Sequence, residues 1–285
     1  MSKAKNINKN FAASPFIVWS SLFIIIPLII VLFFGFTILT PEGDYKFSLE
    51  NFTRLLQSQY IKVFTRSLWL AFLSTLWCLI LGYPVAYIIS KMKPSKGNIL
   101  IMLFIVPMWM NFLLRTYAWL PILGKNGFVN NILGYLGFGP FTFLYNDGAV
   151  ILGMIYNFLP FMVLPIYTVL TKMDKDLLNA AADLGANRGE IFRKIVLPLS
   201  MPGVISGITM VFMPAVSTFV ISRLLGGGQY MLLGNLIEQQ FTMMGDWNFG
   251  SSISIFMMII ILVSMAIMSK FDNSDAKEGG GNQLW

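Results

Sequence analysis

The sequence predicts an all-α integral membrane protein with six transmembrane helices. Three observations carry that reading. Six stretches, 16–39, 67–90, 97–123, 148–171, 201–222 and 248–269, reach the length and apolarity needed to span a bilayer, which is about 20 residues. Hydrophobic residues make up 56% of the chain and charged residues 12%, whereas ordinary soluble domains are about a quarter charged. Lysine and arginine are concentrated in alternate loops, as expected when one side faces the cytoplasm.

The first stretch is uncharged and longer than the apolar core of a signal peptide, and no small-residue cleavage site follows it. It reads as an uncleaved anchor and first span, after a tail at 1–15. Beyond it, Leu49, Phe52, Leu55, Leu56 and Tyr60 recur at helical spacing, which predicts a short amphipathic helix on the outer surface. The second stretch is uncharged, and the third is interrupted only by Arg115. Prolines at 27, 84, 107, 160, 165 and 214 lie in or near the spans. Each frees a backbone carbonyl that a neighbouring helix or water must satisfy, so these helices read as packed around a path. Between the fifth and sixth stretches, LLGGGQYMLLGNLIEQQFTMMGDW is moderately apolar and broken by glycine. It reads as an outer turn plus a surface or partly re-entrant helix. The spans make one domain, 16–270, and the glycine-rich tail at 271–285 is expected to be disordered.

With six spans, Lys3, Lys5 and Lys9, then Lys91, Lys93 and Lys96, then Lys172, Lys175, Arg188, Arg193 and Lys194, and finally Lys270 and Lys277 share one side. That side is assigned to the cytoplasm, with both termini. The other side mixes six basic residues (Lys46, Arg54, Lys62, Arg66, Lys125, Arg223) with Glu42, Asp44, Glu50, Asp147, Glu238 and Asp246. The net charge of +7 is thus a matter of membrane orientation, and no nucleic-acid partner is inferred from it. There is no histidine, the single cysteine is Cys78, and no span carries a pair of carboxylates. Those features count against a membrane enzyme.

The segment 173–200 is too polar to cross a bilayer and too patterned for a slack connector. Asp174 is placed to cap a helix through Leu177, Leu178, Ala180, Ala181 and Leu184. Gly185 follows where a left-handed residue ends a helix. Asn187 and Glu190 stand three apart, as in a capping box, and start a second helix through Ile191, Phe192, Ile195 and Val196. Pro198 is expected to end it, with Ser200 and Pro202 opening the fifth span. Ala181 and Gly185, one turn apart, leave a bare patch for close approach by another surface. Periodicity alone is equally compatible with an amphipathic loop lying on the membrane.

This segment resembles the cytoplasmic E-A-A, three residues, G, nine residues, I-x-L-P motif of ABC importer permeases. Asn179, Ala180, Ala181, Gly185, Ile195, Leu197 and Pro198 fall on its positions with every spacing kept, and Asp183 lies within it. Asn179 stands where the motif has glutamate. YPVAYIISK, IVPMWMNFLLRTYAWLPIL, YNFLPFMVLPIY and GDWNFGSSIS extend the likeness, and over nearly the whole chain it is similar to spermidine/putrescine permeases, the first of two paired subunits.

The resemblance implies a type I ABC importer permease fold in the bacterial cytoplasmic membrane. It implies a second homologous permease subunit, an outer substrate-binding protein and a pair of ATPase subunits that bind ATP and magnesium and dock on the coupling helix. This chain would have no cofactor and hydrolyse nothing, and no G-x-x-x-x-G-K-[ST] phosphate loop occurs in it. A polyamine path calls for aromatic faces and oxygen ligands. Candidates are Trp109, Asn111, Tyr117, Trp119, Tyr156, Asn157, Phe161, Tyr167 and Phe219, with Asp147, Glu238 and Asp246 at the outer mouth. Most aromatic residues of such a chain face lipid or the interface, and loop carboxylates are ordinarily solvated charges. Arg115 and Arg223 do not suit a cationic path, so an importer of a small anion such as a phosphonate stays open beside the polyamine reading. A stand-alone channel would leave the patterned loop unexplained.

Overall fold

The computed structural model describes residues 14–228 and 230–278, with side chains as far as 270. Most of the tail at 1–15, and the end of the tail at 271–285, lie outside the described residues. The helices are α1 (Ser14–Gly35), α2 (Glu50–Leu55), α3 (Ser58–Ser90), α4 (Pro94–Ile105), α5 (Phe112–Tyr117), α6 (Trp119–Leu123) and α7 (Phe128–Tyr135). They continue with α8 (Asp147–Lys172), α9 (Lys175–Asp183), α10 (Arg188–Ser217), α11 (Val220–Leu225), α12 (Leu233–Gln239) and α13 (Trp247–Glu278). Five helices are long and apolar enough to span a membrane, and one bent pair raises the number to six.

The chain forms two compact units, Met1–Ile61 with Leu236–Ile259 and Lys62–Asn235 with Ile260–Trp285. In the first, α1 stops at Gly35, short of the expected 39. Thr37–Leu39 (β1) instead pairs antiparallel with Tyr45–Phe47 (β2), Ile38 facing Lys46. The carbonyls left open at the end of α1 find side-chain donors. Asn248 Nδ2 donates to Phe34 O at 3.1 Å and Thr37 O at 2.8 Å, Asn51 Nδ2 to Thr37 O at 3.0 Å, and Ser252 Oγ to Gly35 O at 2.9 Å. A helix can end at membrane depth only with such partners. The helix predicted after the first span is present as α2, shorter than the predicted pattern because the chain turns at Leu56 and enters α3 at Ser58.

In the second unit, α8 and α10 pack along much of their length. Val150, Met154, Met162, Val163 and Ile166 of α8 are fully buried. Close approach rests on Gly203 and Gly207 of α10. A Cβ on Gly203 would lie 3.0 Å from Pro165 O and 3.1 Å from Ile166 Cα, and one on Gly207 would lie 2.7 Å from Met162 Sδ. Bare backbone is what lets apolar helices gain dispersion contacts where no hydrophobic drive exists between them.

Three expectations about the spans are corrected. The third is not one helix. α4 passes through a 3-10 turn at Val106–Trp109, Met110 is extended, and α5 starts afresh from Asn111, whose side chain accepts from Leu113 N and Leu114 N. The two arms are bent by 98°. Pro107 supplies no N–H, and the Asn111 cap makes a new start cheaper than a continuous helix. The fifth span begins earlier and ends sooner than 201–222. It runs unbroken from Arg188 and stops at Ser217, leaving Thr218 and Phe219 out of helix. Pro198 does not end the preceding helix. A π-turn at Phe192–Val196, closed by Leu197 N to Phe192 O, widens the turn that the proline ring would otherwise strike. Finally, α13 continues to Glu278, so 271–278 is helical rather than disordered. Ala276, Lys277 and Glu278 are good helix formers, and the glycine run at 279–281 follows them.

Candidate functional site

The loop at 173–200 folds locally as its residue types dictate. Asp174 accepts from Asp176 N at 2.9 Å and caps α9. At its far end Gly185 takes φ +87°. Ala186 N reaches Ala181 O at 3.1 Å and Gly185 N reaches Ala182 O at 2.9 Å. This paired closure consumes the last free carbonyls of α9. Asn187 then opens α10 with a complete capping box, Glu190 N to Asn187 Oδ1 at 3.0 Å and Asn187 N to Glu190 Oε2 at 3.1 Å. Asn179, Ala180, Asp183 and Pro198 are exposed, Ala181 and Ile195 half-buried, and Leu197 is at the threshold of exposure.

The same loop is fastened to the span bundle. Phe192 meets Tyr83 and Tyr87 of α3 edge-on, with ring centroids 5.9 and 5.3 Å apart. Tyr83 shares a 2.8 Å hydrogen bond with Ser200 of α10. α10 has no break between Arg188 and Ser217, so the second helix of the loop and the fifth span are one element. The aromatic contacts to α3, each worth about 0.5–1.5 kcal/mol beyond burial, tie the loop to a second span.

The candidate path residues separate into two groups. Trp109, Tyr117, Tyr156 and Phe219 present exposed rings, Trp109 at 76%, and Asn111 is exposed while capping α5. Tyr156 has Trp119 against it edge-on at 5.3 Å. Asn157, in contrast, is turned into the chain. It is 1% exposed and its Nδ2 donates to Gly153 O at 2.9 Å and to Thr116 Oγ1 at 3.4 Å. Arg115, the residue before Thr116 in the broken third span, is 7% exposed, and its Nε has no hydrogen-bond partner among the described residues.

Phe219 marks a second break. Its carbonyl accepts from Asn235 Nδ2 at 2.9 Å, and a Cβ on the adjacent Gly234 would lie close to Ser217 O and Thr218 O. The segment predicted from the sequence as a surface or partly re-entrant helix thus fits against the interruption in the fifth span and adds a donor to the two that Ser222 Oγ and Arg223 N supply locally. The gap of 16 residues between Phe219 and Asn235 hid this pairing from a reading of local pattern.

The carboxylates expected at the outer mouth are engaged. Asp147 binds Arg66 at 2.6 Å, and Asp246 binds Arg54 at 2.8 Å while also accepting from Phe249 N. Arg66 also stacks on Tyr230 and Arg54 on Phe249, 4.0 and 3.9 Å from the ring centres. Burial works against the Arg54 charge, but the Asp246 hydrogen bond and nearby Tyr60 outweigh it and hold its pKa above the ordinary value. Glu238 also has an interaction within the chain.

The sequence reading passed over Gly203 and Gly207. Their G-x-x-x-G spacing, in GVISG at 203–207, was the available signal for a close helix crossing.

Broken spans around exposed aromatic rings, and a capped loop continuous with one span, are the build of a membrane transport subunit. Residues 9–274 match the family model of the binding-protein-dependent transport system inner membrane component. The chain belongs to that family. It is 40% identical over 249 residues to the spermidine/putrescine transport system permease protein PotB of Escherichia coli (strain K12), covering 85% of this chain and 90% of the relative. Its identity to PotB of Salmonella typhimurium (strain SL1344) is 38% over 271 residues, 92% and 94% of the two chains. The fold is shared with a solved bacterial ABC transporter involved in import of the acidic polysaccharide alginate, with TM-score 0.80, 18% identity and coverage of 96% of this chain and 99% of that one.

Proposed function

We propose that this chain forms the translocation path of an ATP-driven polyamine importer, for spermidine, putrescine or both. It works with a second homologous permease subunit, an outer binding protein that delivers substrate, and two ATPase subunits that bind ATP and magnesium. The observation that carries the substrate class is the 40% identity to a spermidine/putrescine permease over 85% of the chain. Exposed aromatic rings at the two breaks supply faces for ammonium groups. In the proposed cycle, the ATPases close and press on 173–200, α10 moves as one body, and the path alternates between outward and inward openings.

Buried Arg115 favours a second reading, import of a small anion. Uptake decides between them. A bacterial host lacking its own polyamine importers is given this chain with its cognate partners, and labelled spermidine, putrescine, an alkylphosphonate and sulfate are offered in turn. ATP-dependent uptake of a polyamine is expected, and uptake confined to an anion would overturn the polyamine proposal.

The orientation follows from the basic loops, with both termini cytoplasmic. In a Cys78→Ser background, Lys125→Cys should react with an impermeant thiol reagent in intact cells, while Lys93→Cys and Arg188→Cys should react only after lysis. Outside labelling at 188 would remove both this orientation and the coupling role of the loop.

Tyr156 offers the best-placed ring on a path helix. A cation–π contact contributes about 0.5–1 kcal/mol at an exposed site and about 2 when desolvated, so its loss should slow uptake several-fold. Near-normal uptake is expected for Tyr156→Phe and a clear defect for Tyr156→Leu at equal membrane expression. If leucine supports normal uptake, Tyr156 serves only to pack against Trp119.

A further inference from the structure

A cavity of about 440 Å³ opens between the end of α3, the end of α8 and the two helices of the 173–200 loop. Lys91, Lys175 and Arg188 line it together with Asn179, and Leu170 and Leu178 contribute apolar wall. No aspartate or glutamate is among its lining residues. Of the carboxylates in the same loop, Asp174 accepts from Asp176 N and Glu190 from Asn187 N and Lys194, while Asp176 and Asp183 lie on α9 outside the cavity lining. Among the described residues none of the three cations is in an ion pair, and Lys91 is held over the Tyr87 ring, 4.1 Å from its centre. Ser90 and Thr171 also line the cavity but give their protons to their own helices.

Position 179 is the one at which the chain departs from the motif. A glutamate there would bring a carboxylate into this ring of cations. Asparagine brings a neutral amide donor, and the cavity lining is left with three cations and no carboxylate. We infer that the cavity binds an anionic phosphate group, held by Lys91, Lys175, Arg188 and the Asn179 amide. Three cations and an amide lining one cavity suit a phosphate, and the apolar wall beside them suits the glycerol end of an anionic phospholipid. Basic pockets between span ends are known to take such headgroups.

The test uses the full chain purified in detergent and native mass spectrometry. Phosphatidylglycerol, phosphatidylcholine and inorganic phosphate are added separately. Wild type should retain phosphatidylglycerol over phosphatidylcholine. Each charge change in the cavity should weaken retention about fivefold, so Asn179→Glu loses about fivefold and Lys91→Gln with Arg188→Gln about 25-fold. Lys93→Gln with Lys96→Gln, outside the cavity, should leave retention unchanged. Binding of inorganic phosphate with the same dependence on the variants, and no lipid preference, would keep the site and make free phosphate its ligand. Failure to bind either, or equal losses in the control pair, would overturn the assignment. Such failure would favour a protein carboxylate as the group that covers the cations, and it would leave the polyamine proposal untouched, since no substrate enters the measurement.

Discussion

Gly185→Val is expected to abolish transport, or to reduce it at least tenfold, while the chain still reaches the membrane. The argument is conformational. Gly185 sits at φ +87°, and nothing lies within 4 Å of where a Cβ would be placed, so the valine meets open space but an unfavourable backbone. A side chain in the left-handed region costs about 1–2 kcal/mol, and more when β-branched. The cheaper alternative for the mutant is to unwind the paired closure at Ala181 and Ala182, which is what sets the direction of α9 relative to the start of α10. A docking surface that must fit a partner's groove tolerates little of that. Asparagine, which accepts the left-handed region, should preserve most activity at Gly185→Asn. Uptake and co-purification of the ATPase are the readouts. If Gly185→Val transports and co-purifies like wild type, the loop is not the docking element.

Gly203→Val is expected to cost the folded protein rather than its coupling. The new Cβ meets Pro165 O at 3.0 Å and Ile166 Cα at 3.1 Å. Both are backbone atoms of a packed helix and cannot swing aside as a side-chain end would. Overpacking of this kind costs about 1–3 kcal/mol or more, and the helix pair must separate to relieve it. Size-exclusion profiles and thermal midpoints in detergent should show a large loss of monodisperse protein. Ser206→Val, on an exposed position of the same helix, is the control and should behave like wild type. A monodisperse Gly203→Val with an unchanged midpoint would mean that α8 and α10 are not held by this crossing.

The parts of the protein legible in its sequence are those governed by short-range rules. Asp174 and Asn187 as caps, Gly185 as the left-handed stop and Glu190 as the partner in the box all depend on atoms within three to five residues, and each is found where the pattern put it. Span number and approximate position were also legible, because apolarity over about 20 residues is a sum that needs no knowledge of neighbours. That sum is blind to continuity. The third span breaks at Met110, and the fifth stops at Ser217, at places that hydropathy averages away.

Tertiary structure decided what local chemistry left open. A helix can break inside a membrane only if the exposed backbone finds donors, and at Phe219 O two donors are local, Ser222 Oγ and Arg223 N, while the third, Asn235 Nδ2, comes from a segment that no helical period connects to it. Asn157 has the residue type of a path ligand, yet the approach of Thr116 and the carbonyl of Gly153 turn it inward. Asp147 and Asp246 have the composition of an attractive outer mouth, but arginines 81 and 192 residues away in the chain already neutralise them. The sequence by itself determined the membrane fold and the capped loop, because those follow from burial of apolar surface and from hydrogen bonds closed within a turn. Only the packed structure decided which polar groups remain free to meet a ligand, because that depends on which distant residues arrive first.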